Sequence, residues 1–316
     1  MTDAVVRTEG LTKRFGQLVA VDNLSFSAQR GEILGIVGPD GAGKSTMLRM
    51  LAGVLAPDAG EMEVAGADVV RNPEQVKSRI SYMPQHFGLY EDLTVTQNIR
   101  FYADIFEVSS TDRRRREQQL LDASGMSAFK GRLAGQLSGG MKRKLGIACA
   151  LIHTPQVLLL DEPTTGVDPV SRRELWAILY SLVFEGVTVI VSTAYLDEAE
   201  RCQRLLLMHR GRSLFCGTPT ELKRTLPGGM LSIAGSDTRA LQRLVRPLAG
   251  VVSAMAMGDT VHIVVDDAAR RTPEILAQLR ASGAQFGEVK EIPPAVEDVF
   301  VYTVSQQRSE ASSANA

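Results

Sequence analysis

The residues best suited to chemistry lie between positions 38 and 46. Gly38-Pro39-Asp40-Gly41-Ala42-Gly43-Lys44-Ser45 matches G-x-x-x-x-G-K-[ST], and Thr46 follows directly. Glycines let a backbone curl until successive N–H groups face inward as a nest for an anion. An apolar run, Ile33–Val37, precedes the loop and reads as a strand. Met47, Leu48 and Leu51 follow it on the face of an amphipathic helix, whose N-terminal partial charge would point at the same anion. The chemistry this predicts is triphosphate binding. Lys44 would reach the β- and γ-phosphates, and Ser45 would ligate Mg²⁺.

A second set of groups closes the run Val157-Leu158-Leu159-Leu160-Asp161-Glu162. Four apolar residues ending in two acids read as a buried strand that exits at the phosphate edge of a sheet. Asp161 would hold Mg²⁺ through water, and Glu162 would polarise an attacking water as general base. Such a strand end is common by itself. Its meaning comes from the glycine loop.

The elements that must position these groups are an alternation of strands and helices. Ile33–Val37, Ile80–Met83, Val157–Leu160, Val187–Ser192 and Leu205–Met208 are continuous apolar runs, as parallel strands covered on both faces require. Leu175, Ile178, Leu179 and Leu182 recur at helical spacing between two of them. This predicts an α/β domain over residues 1–226. From about 93 to 151 the strand signal gives way to a polar, Arg-rich pattern, read as an inserted helical subdomain. Its Arg113–Arg116 run reads as a solvated helix face beside Asp112, Glu117 and Asp122 rather than a binding patch. Pro227-Gly228-Gly229 marks a break, after which residues 228–304 follow a βαββαβ order, predicting a small ferredoxin-like α+β domain. Its helices are expected near Thr238–Leu248 and Pro273–Ser282. Residues 305–316 are small and polar and are expected to be disordered.

Composition excludes several classes. The chain has 316 residues, with 35 Lys+Arg against 36 Asp+Glu and a formal net charge of −1. That balance argues against a nucleic-acid partner, and an aromatic fraction of 5% argues against stacking platforms. Cys149, Cys202 and Cys216 show no metal-ligand spacing and read as free thiols of a reducing compartment. Neither a secretory leader nor a run of about 20 apolar residues is legible, so a cytoplasmic chain is expected.

With these residues, Leu137-Ser138-Gly139-Gly140-Met141 resembles the signature of the nucleotide-binding subunits of ABC transporters. The resemblance covers roughly residues 5–225. It implies an ABC-type ATPase domain of the P-loop NTPase fold that binds ATP and Mg²⁺ and works as a dimer. In that family the signature loop caps the γ-phosphate bound to the opposite subunit. Ser138, Gly139 and Gly140 have the hydroxyl, N–H donors and close approach this needs; Ser138 also reads simply as a helix N-cap. Gln85 resembles the family's Mg²⁺- and water-touching glutamine, and Asp168 its residue at the dimer interface. Phe15 stands where the family stacks adenine, with ordinary core packing as the alternative. Gly211-Arg212 and Gly217-Thr218-Pro219 resemble its closing hairpin. The region from 228 onward, including Glu297-Asp298-Val299-Phe300, is similar to ATPases of ABC-2 exporters, drug-resistance exporters among them.

Two positions depart from the pattern. Asp40 replaces a common Asn; its carboxylate would point away from a triphosphate or contact the partner subunit. More consequentially, Ser192-Thr193 is followed by Ala194-Tyr195 where the family has a switch histidine. None of His86, His153, His209 and His262 falls at that position. The resemblance thus implies an ATP-hydrolysing exporter subunit, weakened by Ala194, on the inner face of the membrane. Its partners would be a transmembrane permease and a second ATP-binding subunit, alike or different. Phe87–Leu93 reads as the permease-docking surface, with core packing of Tyr90 as the competing reading. The alternative function is a soluble ABC-type ATPase acting on ribosomes or DNA.

Overall fold

The computed structural model describes the backbone of residues 4–314 and the side chains of residues 4–306. The chain forms two compact units, Met1–Gly217 and Thr218–Ala316.

The first unit begins with β1 (Ala4–Phe15), β2 (Leu18–Gln29), β3 (Ile33–Val37) and α1 (Lys44–Leu51). Then come β4 (Ala59–Val64), β5 (Ala67–Asp68), α2 (Pro73–Lys77) and β6 (Ile80–Met83). The helices α3 (Val95–Ile105), α4 (Ser110–Ala123) and α5 (Gly139–Leu151) follow. It closes with β7 (Val157–Asp161), α6 (Pro169–Phe184), β8 (Thr188–Thr193), α7 (Leu196–Ala199), β9 (Arg204–His209) and β10 (Arg212–Gly217). One sheet has the order β10-β9-β3-β8-β7-β6 and is parallel except for β10, which pairs antiparallel with β9. Every residue of β3, β7 and β8 is buried, which is why these strands read as unbroken apolar runs. A second sheet, β2-β1-β4-β5, is antiparallel. One core spans the two sheets and α1 and includes Met47, Leu48, Leu51, Leu34, Ile36, Val6 and Leu24.

The helices α3, α4 and α5 enclose their own core of Val95, Ile99, Leu121, Leu145, Cys149 and Ile152. Thr94 and Gln97 form a capping box that starts α3. The arginine run on α4 is a face of local pairs: Arg113 to Asp104 at 2.8 Å, Arg115 to Asp112 at 2.9 Å, and Arg116 to the Ile152 carbonyl at 3.0 Å.

The second unit contains α8 (Pro219–Lys223), β11 (Gly229–Ala234), α9 (Thr238–Val245), β12 (Val251–Met257), β13 (Thr260–Val265), α10 (Ala268–Ala281), β14 (Val289–Glu291) and α11 (Val296–Ala314). Its sheet, β12-β13-β11-β14, is antiparallel throughout, the strand order of a split βαβ. The division falls at Gly217, ahead of the Pro227-Gly228-Gly229 break, because α8 packs against α11. Pro273 lies inside α10 instead of opening it, since Asp267 caps the helix earlier by accepting from the Arg270 N–H at 3.0 Å. The tail expected to be disordered from 305 continues as helix to Ala314, through Gln306, Gln307, Glu310 and Ala311, which are favourable helix formers; 315 and 316 lie outside the described residues.

Candidate nucleotide-binding site

The glycine loop leaves the end of β3, at the centre of the parallel sheet, and enters α1. Its glycines are fixed by close backbone approach. A Cβ on Gly38 would lie 2.3 Å from the Met208 carbonyl oxygen, and one on Gly43, at φ 100°, 2.3 Å from that of Ala20. Gly43 caps α1 without a side-chain bond, so the first-turn N–H groups are left for another acceptor. They border a cleft of roughly 870 Å³ lined by Phe15, Leu18, Asp40–Thr46, Gln85, Glu162, Thr165 and Arg210.

Lys44 is buried at 4% exposure. Its Nζ donates to the carbonyls of Gly38 at 2.8 Å and Pro39 at 3.1 Å and lies 3.2 Å from Glu162 Oε1. The other oxygen of Glu162 accepts from Gln85 Nε2 at 3.1 Å and from Thr165 Oγ1 at 3.3 Å. Asp161 Oδ1 accepts from Ser45 Oγ at 2.9 Å and from Ser192 Oγ at 2.7 Å, and Tyr82 reaches its Oδ2 at 3.4 Å. Burial, and then the Asp161 charge beside it, raise the Tyr82 phenol above its ordinary pKa. Arg143 of α5 donates to the Gln85 carbonyl at 2.6 Å, which ties the helical region to the same site.

The structure therefore gathers Gly38–Thr46, Gln85, Asp161 and Glu162 as the sequence predicts. Phe15 is half-exposed at the cleft and not in the core, with the Lys13 ammonium 5.7 Å from its ring centroid. Asp40 sits exposed on the rim. Ser138, Gly139 and Gly140 do not line this cleft. Ser138 caps α5, accepting from the Met141 N–H at 3.3 Å, and Gly139 faces open space. Tyr82 and Thr165 complete the site without being legible as site residues, and Ser192, legible only as a candidate replacement for the missing histidine, instead bonds Asp161. Ser192 carried the one available signal, a hydroxyl at the end of a strand that emerges beside β7. Ala194 is half-buried just beyond β8 and, like the four histidines, is not among the residues lining the cleft.

Gly140 has a different neighbour. A Cβ there would lie 2.4 Å from Ser171 Oγ and 2.6 Å from Ser171 Cβ, at the start of α6. Gly140→Ala is expected to destabilise the first unit by about 1–3 kcal/mol through overpacking. Thermal unfolding measures this, and an unchanged midpoint would show that α5 and α6 yield freely.

A glycine loop at the end of the central strand, a lysine among its carbonyls and a Ser–Asp pair, Ser45 from the first turn of α1 and Asp161 from the end of β7, define a P-loop nucleotide-binding domain. The ABC transporter family pattern matches residues 21–165. The chain is 44% identical over 306 residues to the probable multidrug ABC transporter ATP-binding protein YbhF of Escherichia coli (strain K12), covering 95% of this chain and 52% of that one. It thus spans about half the length of that relative. It is 35% identical over 299 residues to the Nod factor export ATP-binding protein I of Ralstonia nicotianae, covering 94% of this chain and 92% of that one. A solved ATP-binding subunit of an ABC transporter superposes with a TM-score of 0.64 at 28% identity, covering 70% of this chain and 92% of that one. The chain belongs to the family of ABC transporter ATP-binding proteins.

Proposed function

We propose that this chain binds ATP with Mg²⁺ in the cleft and hydrolyses it to drive export through a separate transmembrane permease, at the cytoplasmic face of the membrane. The observation that carries this reading is the bonded array of Lys44, Glu162, Gln85, Ser45 and Asp161 around one glycine loop. Ser45 and Asp161 are hard oxygen donors 2.9 Å apart, and two such protein ligands suit Mg²⁺, which keeps waters and substrate oxygens around it. Bound there, the ion would neutralise charge on the phosphates. On ATP entry Lys44 exchanges Glu162 for phosphate oxygens. Glu162, still held by Gln85 and Thr165, is then free to take a proton from water.

Among the described residues no helix is long and apolar enough to cross a membrane. Permease docking is supported by an apolar groove lined by Val54, Tyr82, Phe87, Tyr102, Ile105 and Phe106. Phe87 stacks on Tyr102 with centroids 5.1 Å apart, and Tyr90, 47% exposed, packs edge-on against Phe101 at 4.5 Å. Purification from native membranes tests the assignment. Recovery of a membrane subunit, with ATP turnover, is expected; recovery with ribosomes or DNA instead would replace it by the soluble alternative.

The position of Ser138–Gly140 away from the chain's own cleft supports a site completed by a second ATP-binding subunit. The alternative is a homodimer in which Tyr195, Ser192 or a water replaces the imidazole, but both of those side chains are already engaged. Ser192 is bonded to Asp161 and to the Glu162 N–H, and the Tyr195 ring lies 4.5 Å from the Arg172 guanidinium. This favours an asymmetric transporter in which the partner subunit has the histidine. Ala194→His is expected to raise turnover of the purified chain tenfold or more, about 1.4 kcal/mol of barrier. Ordinary wild-type turnover as a pure homodimer, unmoved by the substitution, would sink the asymmetric reading.

A further inference from the structure

Glu162 sits on a strained backbone. Its φ is 48°, in the left-handed region that residues with a side chain rarely enter. Pro163 follows, and a proline pushes the residue before it toward extended conformations. Such a conformation persists only where its surroundings over-determine it. One restraint is direct: the Glu162 N–H donates to Ser192 Oγ at 2.9 Å.

A second restraint runs through Glu198, on α7. Its Oε2 accepts from Thr164 Oγ1 at 2.9 Å, two residues beyond Glu162. The same oxygen accepts from Thr193 Oγ1 at 2.8 Å, at the end of β8. Thr193 in turn offers its carbonyl to the Gly38 N–H at 3.4 Å and its hydroxyl oxygen to the Tyr195 N–H at 3.0 Å. Glu198 is fully buried, and its other oxygen lies 3.4 Å from Arg172 Nε at the start of α6. Among the described residues neither of those two atoms has a hydrogen-bond partner. A buried carboxylate is costly unless its partners satisfy it. Apolar packing would fill this space at less cost. What the carboxylate adds is one acceptor that joins two hydroxyls from two different strand ends.

We propose that Glu198 is a positioning residue for hydrolysis. It clamps the loop after β7 to the end of β8, and so holds the left-handed backbone from which the Glu162 side chain reaches Lys44 and Gln85. The inference rests on the reading of Glu162 as general base, but the clamp is measurable without turnover.

Hydrogen–deuterium exchange of the full chain, with ATP affinity and turnover measured in parallel, tests it. In Glu198→Ala, exchange of the peptide carrying Glu162, Thr164 and Thr165 is expected to rise about tenfold, local opening having become easier. ATP affinity should stay within about threefold while turnover falls about tenfold or more, the split expected when an interaction made only in the transition state is lost. Glu198→Gln keeps a carbonyl oxygen for both hydroxyls and should restore most of the protection and turnover. Thr164→Val removes one arm of the clamp, should reproduce the loss, and decides the matter if the alanine variant does not fold. Unchanged exchange in Thr164→Val overturns the proposal. So does a global rise in exchange with affinity and turnover falling together, which marks Glu198 as merely structural. Turnover that does not fall in Glu162→Gln would overturn the base assignment, and the exchange pattern would still decide the clamp.

Discussion

Glu162→Gln is expected to lower ATP turnover by about 10²–10⁴ while ATP binding persists, because the substitution keeps the side chain's shape and removes its basicity. The amide oxygen can still accept from Gln85 and Thr165, which now lie 3.1 and 3.3 Å from the carboxylate. What disappears is the ion pair with Lys44 at 3.2 Å. That pair competes with phosphate for the same ammonium, so the glutamine variant should bind nucleotide at least as well as wild type. With hydrolysis blocked, ATP-bound dimers should accumulate and be visible by light scattering in ATP and Mg²⁺. A variant that stays monomeric and hydrolyses normally would remove Glu162 from the role of base.

The site was legible where chemistry demands both residue type and spacing. Gly38–Ser45 must combine φ freedom, an ammonium and a hydroxyl in fixed order, so the loop can be read from eight letters. The strands β3, β7 and β8 are legible for a related reason: burial on both faces leaves no polar positions to blur them. The strands β1 and β2, 12 residues each, are longer but were not legible. Shifts of register between Thr8 and Leu11, Leu11 and Lys13, and Lys13 and Arg14 break their period-2 pattern. Ser192 and Tyr82 act on Asp161 from neighbouring strands, and such contacts depend on strand order, which periodicity does not encode. Pro273 misled because its place in the helix depends on where Asp267 caps α10, not on proline itself. Glu198 is instructive in the other direction. By composition it is one more acid in an exposed-looking Asp197-Glu198-Ala199-Glu200 turn, yet it alone of the three acids is buried.

Lys44→Ala is expected to weaken ATP binding by about 100-fold or more, at least about 2.7 kcal/mol. The wild-type ammonium is 4% exposed and held between two carbonyls and one carboxylate, so water is not available to replace it there. Removing it has two consequences that add. The phosphates lose a charge-assisted partner. Glu162, 9% exposed, loses its cation and presents a nearly buried negative charge to an anionic ligand. The second term can be isolated. In the double variant Lys44→Ala/Glu162→Gln the repulsion is gone, so affinity should recover part of the loss while turnover stays at the level of Glu162→Gln alone. Additive losses would mean that the two side chains do not interact, contrary to their 3.2 Å separation. Equilibrium titration with a fluorescent ATP analogue measures all three variants. Unchanged affinity in Lys44→Ala would remove Lys44 from contact with the phosphates and sink the assignment of the loop as the triphosphate site.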